Sequence, residues 1–473
     1  MESLPGEMIA EIGLYLSVAD LAACSATCRT WRERFNDDRI WRRRCTLRLA
    51  EYLENTDTTV PPGLQLTEHD SLSPLCKWRT RFIRENRLWN NWRQGNYTSH
   101  EMARIDQVRT LASFYGNDYL VIIIYNEVQL WNVRDVPTCL MTNPCDLDKT
   151  VYVDHFEILR EDRIIFVQSS KVSVFRMSVT STHWPLIYTF HFDERLSTAD
   201  FTEEAALSPS EHAIITVPES SFYTITGDYF VGVAPGYTRL LHVWNIYTGE
   251  KLKEVVCPVS NPNSCFITLC HSYKPSPDVL SVVEEEVLED RGLMIRMHVY
   301  VYNASELVFR EFVETRLGRV NTLYQCMIYD PYVFIKDFFN LSVFNYKTSA
   351  LVDVKPALSN PILFNDNVIY VRERKLRGFN VSTGVTNQLS SFNACSMYFI
   401  ACDRFVTQVL SFRDFEVLEV GRRQARRHFN FESSNRYWWS DRVAMTNRMY
   451  TKKIMIESNE RNKKHNIYIL NFW

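Results

Sequence analysis

Residues 4–45 read LPGEMIAEIGLYLSVADLAACSATCRTWRERFNDDRIWRRRC, and this stretch predicts a compact set of short helices. Pro5 stands where a helix would open, the helical position that tolerates proline best. Ser17 and Asp20 have the spacing of a capping box, which predicts that a second helix begins there. The first helix carries apolar residues at helical spacing, namely Met8, Ile9, Ile12, Tyr15 and Leu16.

The second predicted helix has one stripe of residues suited to a core, formed by Leu21, Cys24, Ser25 and Cys28. Trp31 and Trp41 close the segment, and Asp37 and Asp38 lie between them as a cap. Some forty residues in three short helices bury little apolar surface on their own. The sequence therefore predicts that a partner covers the apolar surface that remains.

These helices resemble an F-box. The resemblance rests on residue type and spacing together, at Leu4, Pro5, Ile9, Ile12, Leu16, Leu21, Cys28, Trp31 and Trp41. It implies that these residues bind the Skp-type adaptor of a cullin–RING ubiquitin ligase. The alternative is an ordinary helical cap at the N-terminus of a larger domain.

Composition excludes few classes of function. A chain of 473 residues is long enough for two or three domains or one large repeat array. Its net charge of −3 gives no general sign of nucleic-acid or membrane binding. We expect no transmembrane helix and no secretory signal, because no apolar run is long enough and no basic region precedes one. The 12 cysteines are then expected to be reduced, in the cytoplasm, the nucleus or both.

From about residue 110, a two-part unit recurs. An Asp opens an apolar strand, a turn follows, and a second strand ends in an aromatic residue or Leu that is usually followed by Asn. The units open at Asp118, Asp162, Asp228, Asp278, Asp330, Asp366, Asp403 and Asp441. Neighbouring openings are 36 to 66 residues apart, which predicts a β-propeller. Eight units predict eight blades, and the poorly patterned stretch between the second and third openings leaves seven as the alternative.

The last unit lacks an outer strand of its own. Residues 467–473 form its closing strand, and no residues follow them in this sequence. An unpaired sheet edge would remain unless another segment covers it. We expect residues 96–102 to supply that strand and to clasp the two ends of the propeller together.

The second half of the chain also resembles a known family. Trp131-Asn132 and Trp244-Asn245 are similar to the Trp-Asp ending of WD repeats, and the stretch NWRQG at 91–95 resembles the joint in F-box/WD-repeat proteins. No Gly-His dipeptide occurs and most units lack the Trp. The predicted fold class is α+β and multidomain, with an F-box at 1–45, a helical linker at 46–95 that contains a polar loop at 54–74, and an all-β WD-like propeller at 96–473.

The linker alternates aromatic and basic residues. Its aromatic and apolar residues recur at helical spacing, and arginines and lysines lie between them. We interpret this as a rigid helix between F-box and propeller, with arginine stems covering apolar surface. Nucleic-acid binding is the alternative. A second basic run, RRQARRH at 422–428, is interpreted as a solvated loop, with a nuclear-import signal as the alternative.

The turns inside the two-strand units hold the candidate substrate-binding residues. The basic residues in these turns are Arg239, Lys336, Arg372, Arg374, Lys375 and Arg413. The resemblance to WD-repeat proteins places such turns on one face, and arginine suits a phosphorylated target through bidentate hydrogen bonds. The alternative is that exposed loops simply contain Lys and Arg.

No catalytic constellation, cofactor motif or complete metal site stands out. Cys265, Cys270 and His271 lack a second pair at ligand spacing. The sequence thus predicts a non-catalytic substrate receptor of an Skp–cullin–F-box ligase, which recruits a protein for ubiquitination and proteasomal degradation. The alternatives are a WD-like scaffold without a ligase role and a nucleic-acid-binding propeller. No membrane partner is expected.

Overall fold

The computed structural model describes most of the helical N-terminus and the strands that follow. The residues it describes are 4–45, 75–105, 110–116, 118–124, 126–192, 223–226, 228–233, 240–256, 265–271, 279–287, 292–303, 306–319, 325–329, 331–336, 340–345, 347–348, 350–356, 362–364, 367–372, 375–388, 397–401, 405–409, 414–419, 426–430, 436–439, 452–459 and 464–472. The predicted polar loop at 54–74 lies outside these residues.

The described helices are α1 (Gly6–Tyr15), α2 (Val18–Thr27), α3 (Arg29–Arg34), α4 (Asp38–Arg42) and α5 (Lys77–Gln94). Residues 4–45 thus form four short helices rather than the predicted three. The extra helix arises because the Asp37 side chain accepts a 2.7 Å hydrogen bond from the backbone N–H of Arg39 and so starts a new helix. The predicted capping box between Ser17 and Asp20 is confirmed, with both of its hydrogen bonds present.

In the described part of the chain, the remaining elements are strands in eight four-stranded antiparallel sheets. Sheet 1 contains β2 (Thr110–Tyr115), β3 (Tyr119–Ile124), β4 (Glu127–Asn132) and β5 (Thr138–Thr142). Sheet 2 contains β6 (His155–Ile158), β7 (Arg163–Gln168), β8 (Lys171–Arg176) and β9 (Leu186–His191). Sheet 3 contains β10 (Tyr223–Thr226), β11 (Tyr229–Val233), β12 (Leu240–Asn245) and β13 (Lys251–Val256). Sheet 4 contains β14 (Cys265–His271), β15 (Val279–Val287), β16 (Gly292–Asn303) and β17 (Glu306–Arg319).

The later sheets repeat this order. Sheet 5 contains β18 (Gln325–Tyr329), β19 (Tyr332–Lys336), β20 (Asn340–Asn345) and β21 (Ala350–Pro356). Sheet 6 contains β22 (Ile362–Phe364), β23 (Asn367–Arg372), β24 (Lys375–Asn380) and β25 (Val385–Gln388). Sheet 7 contains β26 (Met397–Ala401), β27 (Phe405–Val409), β28 (Asp414–Glu419) and β29 (Arg426–Asn430). Sheet 8 contains β30 (Arg436–Trp439), β31 (Lys452–Asn459), β32 (Lys464–Asn471) and, from the start of the sheet region, β1 (Thr98–Ile105).

The predicted clasp is therefore present in sheet 8. Its outermost strand β1 pairs antiparallel with β32, from Thr98 opposite Asn471 to Ile105 opposite His465. A strand that precedes sheet 1 thus covers the edge of the sheet built from the last described residues.

The recurring Asp and Asn of the sequence have defined backbone roles. In sheets 1, 2 and 3, the carbonyl of the opening Asp accepts the N–H of the residue that follows the closing pair, as Asp118 does from Val133 at 2.6 Å. The closing Asn turns the chain with its side chain. Asn245 Oδ1, for example, accepts the backbone N–H groups of Tyr247 and Thr248 at 2.7 and 3.1 Å. The two-part unit is therefore the second and third strand of each sheet.

Successive sheets pack against one another. Side chains of sheet 8 share a buried cluster with sheet 1, sheet 1 with sheet 2, sheet 2 with sheet 3, and sheet 5 with sheet 6. The first strands of sheets 3 and 4, 4 and 5, and 6 and 7 also contact each other. Helices followed by stacked four-stranded antiparallel sheets are a WD-type propeller architecture. The number of blades stays a prediction.

One sequence-based interpretation is wrong. Arg426, Arg427 and His428, the second half of the basic run, lie in the outer strand β29 of sheet 7 rather than in a loop.

Cys265, Cys270 and His271 lie in β14. None of the described helices has the length and hydrophobicity that a bilayer crossing requires.

Candidate functional site

We call helices α1 to α4 the helical module. Its buried core contains three of the predicted adaptor-binding residues. Ile9, Leu21 and Trp41 are buried together with Ala10, Phe35 and Ile40. The indole N–H of Trp41 donates a 2.7 Å hydrogen bond to the Phe35 carbonyl. In this arrangement their side chains hold the helices together and have little surface left for a partner.

The other predicted adaptor-binding residues lie nearer the surface. Leu4, Leu16 and Trp31 are half-buried at the margin of the core, and Cys28 is half-buried where α2 ends and α3 begins. Pro5 caps α1 and is exposed, as is Ile12.

Four large apolar residues of α1 and α2 are exposed to solvent. Met8, Ile12 and Tyr15 are spaced so that they lie on one side of α1, and they are 52%, 36% and 86% exposed. Val18, at the start of α2, is 39% exposed. We call these four residues the apolar face. Met8, Tyr15 and Val18 were not among the candidate residues, because helical spacing alone does not show which side of α1 packs inward.

Arg44 holds α1 against α4. Its guanidinium donates hydrogen bonds to the carbonyls of Gly13 at 2.8 Å, Leu16 at 2.7 Å and Ile40 at 2.5 Å. These groups include carbonyls near the end of α1 that lack a partner within the helix. Desolvation by burial lowers the pKa of Arg44 from its usual value. Arg44 therefore fixes the orientation of the helix that carries most of the apolar face.

The helix α5 is fused to the same module. Its first turn is capped by side chains from residues 36 and 38, since Asn36 Oδ1 accepts the Cys76 N–H at 2.9 Å and Asp38 Oδ1 accepts the Trp78 N–H at 3.0 Å. The rings of Trp41 and Phe82 pack with their centroids 5.1 Å apart. Helix α5 is thus packed against the helical module.

Arginines of α5 pack on tryptophan rings, as the packing interpretation predicts. The guanidinium of Arg79 lies over Trp41 at 5.1 Å from the ring centroid, and that of Arg81 lies over Trp78 at 4.5 Å. Burial lowers the pKa of Arg79 from its usual value. The pair of Arg79 and Trp41 stabilises the contact between α5 and α4, whereas Arg81 and Trp78 lie on the same helix.

Three of the candidate substrate-binding residues lie where a second strand ends or a third strand begins. Lys336 ends β19 in sheet 5, while Arg372 and Lys375 are register partners at the turn between β23 and β24 in sheet 6. Both turns join second and third strands, and sheets 5 and 6 pack together. The structure therefore brings these three positions to one end of two adjacent sheets. Arg239, Arg374 and Arg413 lie outside the described residues.

A cleft of about 510 Å³ lies at the end of sheet 2 where β7 begins and β8 ends. Its charged residues are Glu161, Asp162, Arg163 and Arg176. Most of these groups already have partners: Arg163 pairs with Glu161 at 3.3 Å and donates to the Tyr247 carbonyl, and Asp162 accepts the Tyr115 hydroxyl. Burial and the neighbouring carboxylate raise the pKa of Tyr115 to about 12. These contacts tie sheet 2 to its two neighbours.

Comparisons with known proteins agree with this two-part architecture. Residues 1–47 match the family model described as F-box-like. The chain is 25% identical over 142 residues to F-box/WD repeat-containing protein 7 of Drosophila melanogaster. That match covers 29% of this chain and 10% of the relative, so the chain spans about a tenth of the length of the curated relative it matches.

The solved structures similar to the chain include Sqt1 and the WD40 domain of Pan2. Sqt1 of Saccharomyces cerevisiae is 9% identical with a TM-score of 0.44, covering 78% of this chain and 97% of that one. The Pan2 WD40 domain of Neurospora crassa is 8% identical with a TM-score of 0.35, covering 68% and 89%. The chain thus joins a helical module that matches the F-box-like model to a series of stacked four-stranded antiparallel sheets. In particular, it resembles the F-box/WD-repeat proteins, which are typically non-catalytic adaptors.

Proposed function

We propose that this protein is the substrate-recognition subunit of an Skp–cullin–F-box ubiquitin ligase. The observation that carries the proposal is the apolar face, which lies exposed on a segment that matches the F-box-like model. Exposed apolar patches on an otherwise polar surface are typical of protein interfaces. The apolar face binds an Skp-type adaptor, and the adaptor links the chain to a cullin–RING ligase in the cytoplasm, the nucleus or both.

The buried members of the predicted set support this role indirectly. Ile9, Leu21 and Trp41 keep the helices in place, and Arg44 fixes α1 against α4. Contact with the adaptor then falls to residues with exposed surface, namely Pro5, Met8, Ile12, Tyr15 and Val18, with help from the half-buried Leu4, Leu16, Cys28 and Trp31.

The sheets select the target protein in this proposal. Lys336, Arg372 and Lys375 share one end of sheets 5 and 6 and are the described candidates for substrate binding. Arginine and lysine at such turns attract acidic or phosphorylated segments. Bound there, a target stays near a ubiquitin-loaded enzyme at high effective concentration and is marked for proteasomal degradation.

The test is co-purification of the full chain with an Skp-type adaptor. The triple variant Met8→Ala/Ile12→Ala/Tyr15→Ala removes most of the apolar face. If each side chain contributes about 1 kcal/mol to binding, the triple variant binds about 100-fold more weakly.

A matched control variant also truncates three exposed apolar side chains, but in the sheet region instead of α1. Val136, between β4 and β5, Leu140 in β5 and Leu186 in β9 are 66%, 43% and 51% exposed, and the control variant changes all three to Ala. We expect this control to keep wild-type affinity. If the folded wild-type chain does not retain the adaptor at all, the ligase role is wrong and the scaffold alternative takes its place.

A further inference from the structure

The far end of helix α5 meets the sheets at a small, fully packed joint. The Trp92 ring stacks on the Phe472 ring with centroids 3.7 Å apart and planes 9° apart. Phe472 follows β32 directly and is 1% exposed, and the Tyr97 ring packs on it from the chain entering β1, at 5.4 Å. We call Asn91, Trp92, Gly95, Tyr97 and Phe472 the joint.

Asn91 connects three parts of this joint. Its side-chain amide donates a 2.8 Å hydrogen bond to the Phe472 carbonyl. Its backbone carbonyl accepts the N–H groups of Gly95 and Asn96, the latter at 2.9 Å. Gly95 has a φ of +66°, the left-handed conformation that ends a helix and that glycine adopts without strain. One residue thus holds the end of α5, the turn after it and the end of β32.

The two ends of α5 are held in different ways. At its start, the caps from Asn36 and Asp38 and the packing of Trp41 on Phe82 fuse the helix to the module that carries the apolar face. Its 18 residues make a rod of about 27 Å at 1.5 Å per residue. The direction of the whole module relative to the sheets is therefore decided at the far end of the rod. Helix α5 also contacts β28 and β29.

We infer that Asn91, Trp92 and Phe472 are positioning residues, which set the direction in which the helical module leaves the sheets. Small rotations at the joint become displacements of several ångströms at the apolar face, because the rod is long compared with the joint. Variants that weaken the joint should widen the range of positions that the helical module takes relative to the sheets, without unfolding the module or the sheets. The consequence for ubiquitin transfer rests on the proposed function, whereas the positioning itself does not.

The experiment measures distances between the two parts in the full chain. Two labels are introduced as unnatural amino acids at Thr30 in α3 and Asn387 in β25, both exposed. Double electron–electron resonance then gives the distribution of distances. We expect one narrow distribution for the wild type, and a distribution at least twice as wide for Phe472→Ala and for Asn91→Ala.

Three comparison variants separate positioning from general damage. Asn90→Ala changes the same residue type one position earlier, where the side chain accepts a bond from Arg93 on the same helix. Phe379→Ala removes an equally buried phenylalanine in sheet 6. Phe472→Tyr keeps an aromatic ring in the stack. We expect all three to keep the wild-type width.

The inference is overturned if folded Asn91→Ala and Phe472→Ala chains keep the wild-type width, or if Phe379→Ala broadens the distribution as much as they do. Should Phe472→Ala fail to fold, Asn91→Ala against Asn90→Ala decides the question, because alanine is well tolerated in a helix. Adaptor co-purification is a separate readout, and we expect Phe472→Ala to retain the adaptor. If the wild type itself fails to bind the adaptor, the proposed function is wrong, but the distance measurement still tests the positioning role of the joint.

Discussion

The helical module and sheets 1 and 2 differ in how completely they bury their apolar side chains. Strand β3 buries Leu120, Val121, Ile122 and Ile123 almost completely, since both of its faces are covered by neighbouring sheets. Helix α1 buries Ile9 and Ala10 but leaves the apolar face in solvent. The sheets therefore bury the apolar residues of this strand themselves, whereas the helical module leaves apolar surface exposed, which the proposed adaptor would cover.

The strongest test of the difference removes a buried ring from the sheets. Phe166 is fully buried and lies between Phe156 and Phe175, with ring centroids 6.1 and 5.8 Å away. Phe166→Ala should lower the free energy of unfolding of the sheet region by about 3–5 kcal/mol, because it leaves a cavity. Denaturant unfolding followed by the strand signal in circular dichroism measures this. The exposed Leu140→Ala is the control and should change it by less than about 0.5 kcal/mol.

The next effect concerns the close approach of α1 and α4. A Cβ at Gly13 would lie 2.6 Å from Ile40 Cδ1, so a side chain there must displace the buried Ile40 side chain. Gly13→Val should destabilise the helical module by about 1–3 kcal/mol through overpacking. Thermal loss of the helical signal reports it. Gly6→Val, where the nearest atom is 4.0 Å away, should cost clearly less, and equal losses at both sites would contradict this packing.

A smaller loss is expected when the capping box is removed. Ser17→Ala leaves the N–H of Asp20 without its 3.1 Å acceptor and should cost about 1 kcal/mol of helical-module stability. The same thermal measurement applies. Thr27→Ala, at the other end of α2, is the comparison and should have little effect, since its hydroxyl bonds only back to the carbonyl of Ala23 in what the structure describes.

The smallest effect on stability is predicted at the most exposed apolar residue. Tyr15→Ala should change the stability of the isolated chain by no more than about 0.5 kcal/mol, because its ring is 86% exposed. Adaptor affinity, measured by titration calorimetry, should nevertheless fall about tenfold. A large loss of stability would show that Tyr15 belongs to the core, and the contrast between the two regions would fail there.

Local signals in the sequence predicted local structure well. The capping box at Ser17, the helical spacing in α5 and the turn at the closing Asn245 all act over a few residues, and the predicted cap, helix and turn are present. The pairing of β1 with β32 was predicted because the last unit lacks an outer strand of its own, which would leave a sheet edge unpaired.

Features that depend on packing between distant residues could not be predicted in this way. The side of α1 that stays exposed is decided by Phe35, Ile40 and Arg44, which follow two helices later. The stack of Trp92 on Phe472 joins residues hundreds of positions apart. The basic residues at 426–428 form a strand because β28 offers an edge to pair with, although their own composition favoured a loop.

Hydrogen–deuterium exchange of the full chain, with and without an Skp-type adaptor, tests the central claim most directly. We expect the adaptor to slow exchange in peptides covering α1 and α2 and to leave exchange in β3 and β7 unchanged. Binding without any protection of α1 and α2, or protection confined to the sheets, would contradict it.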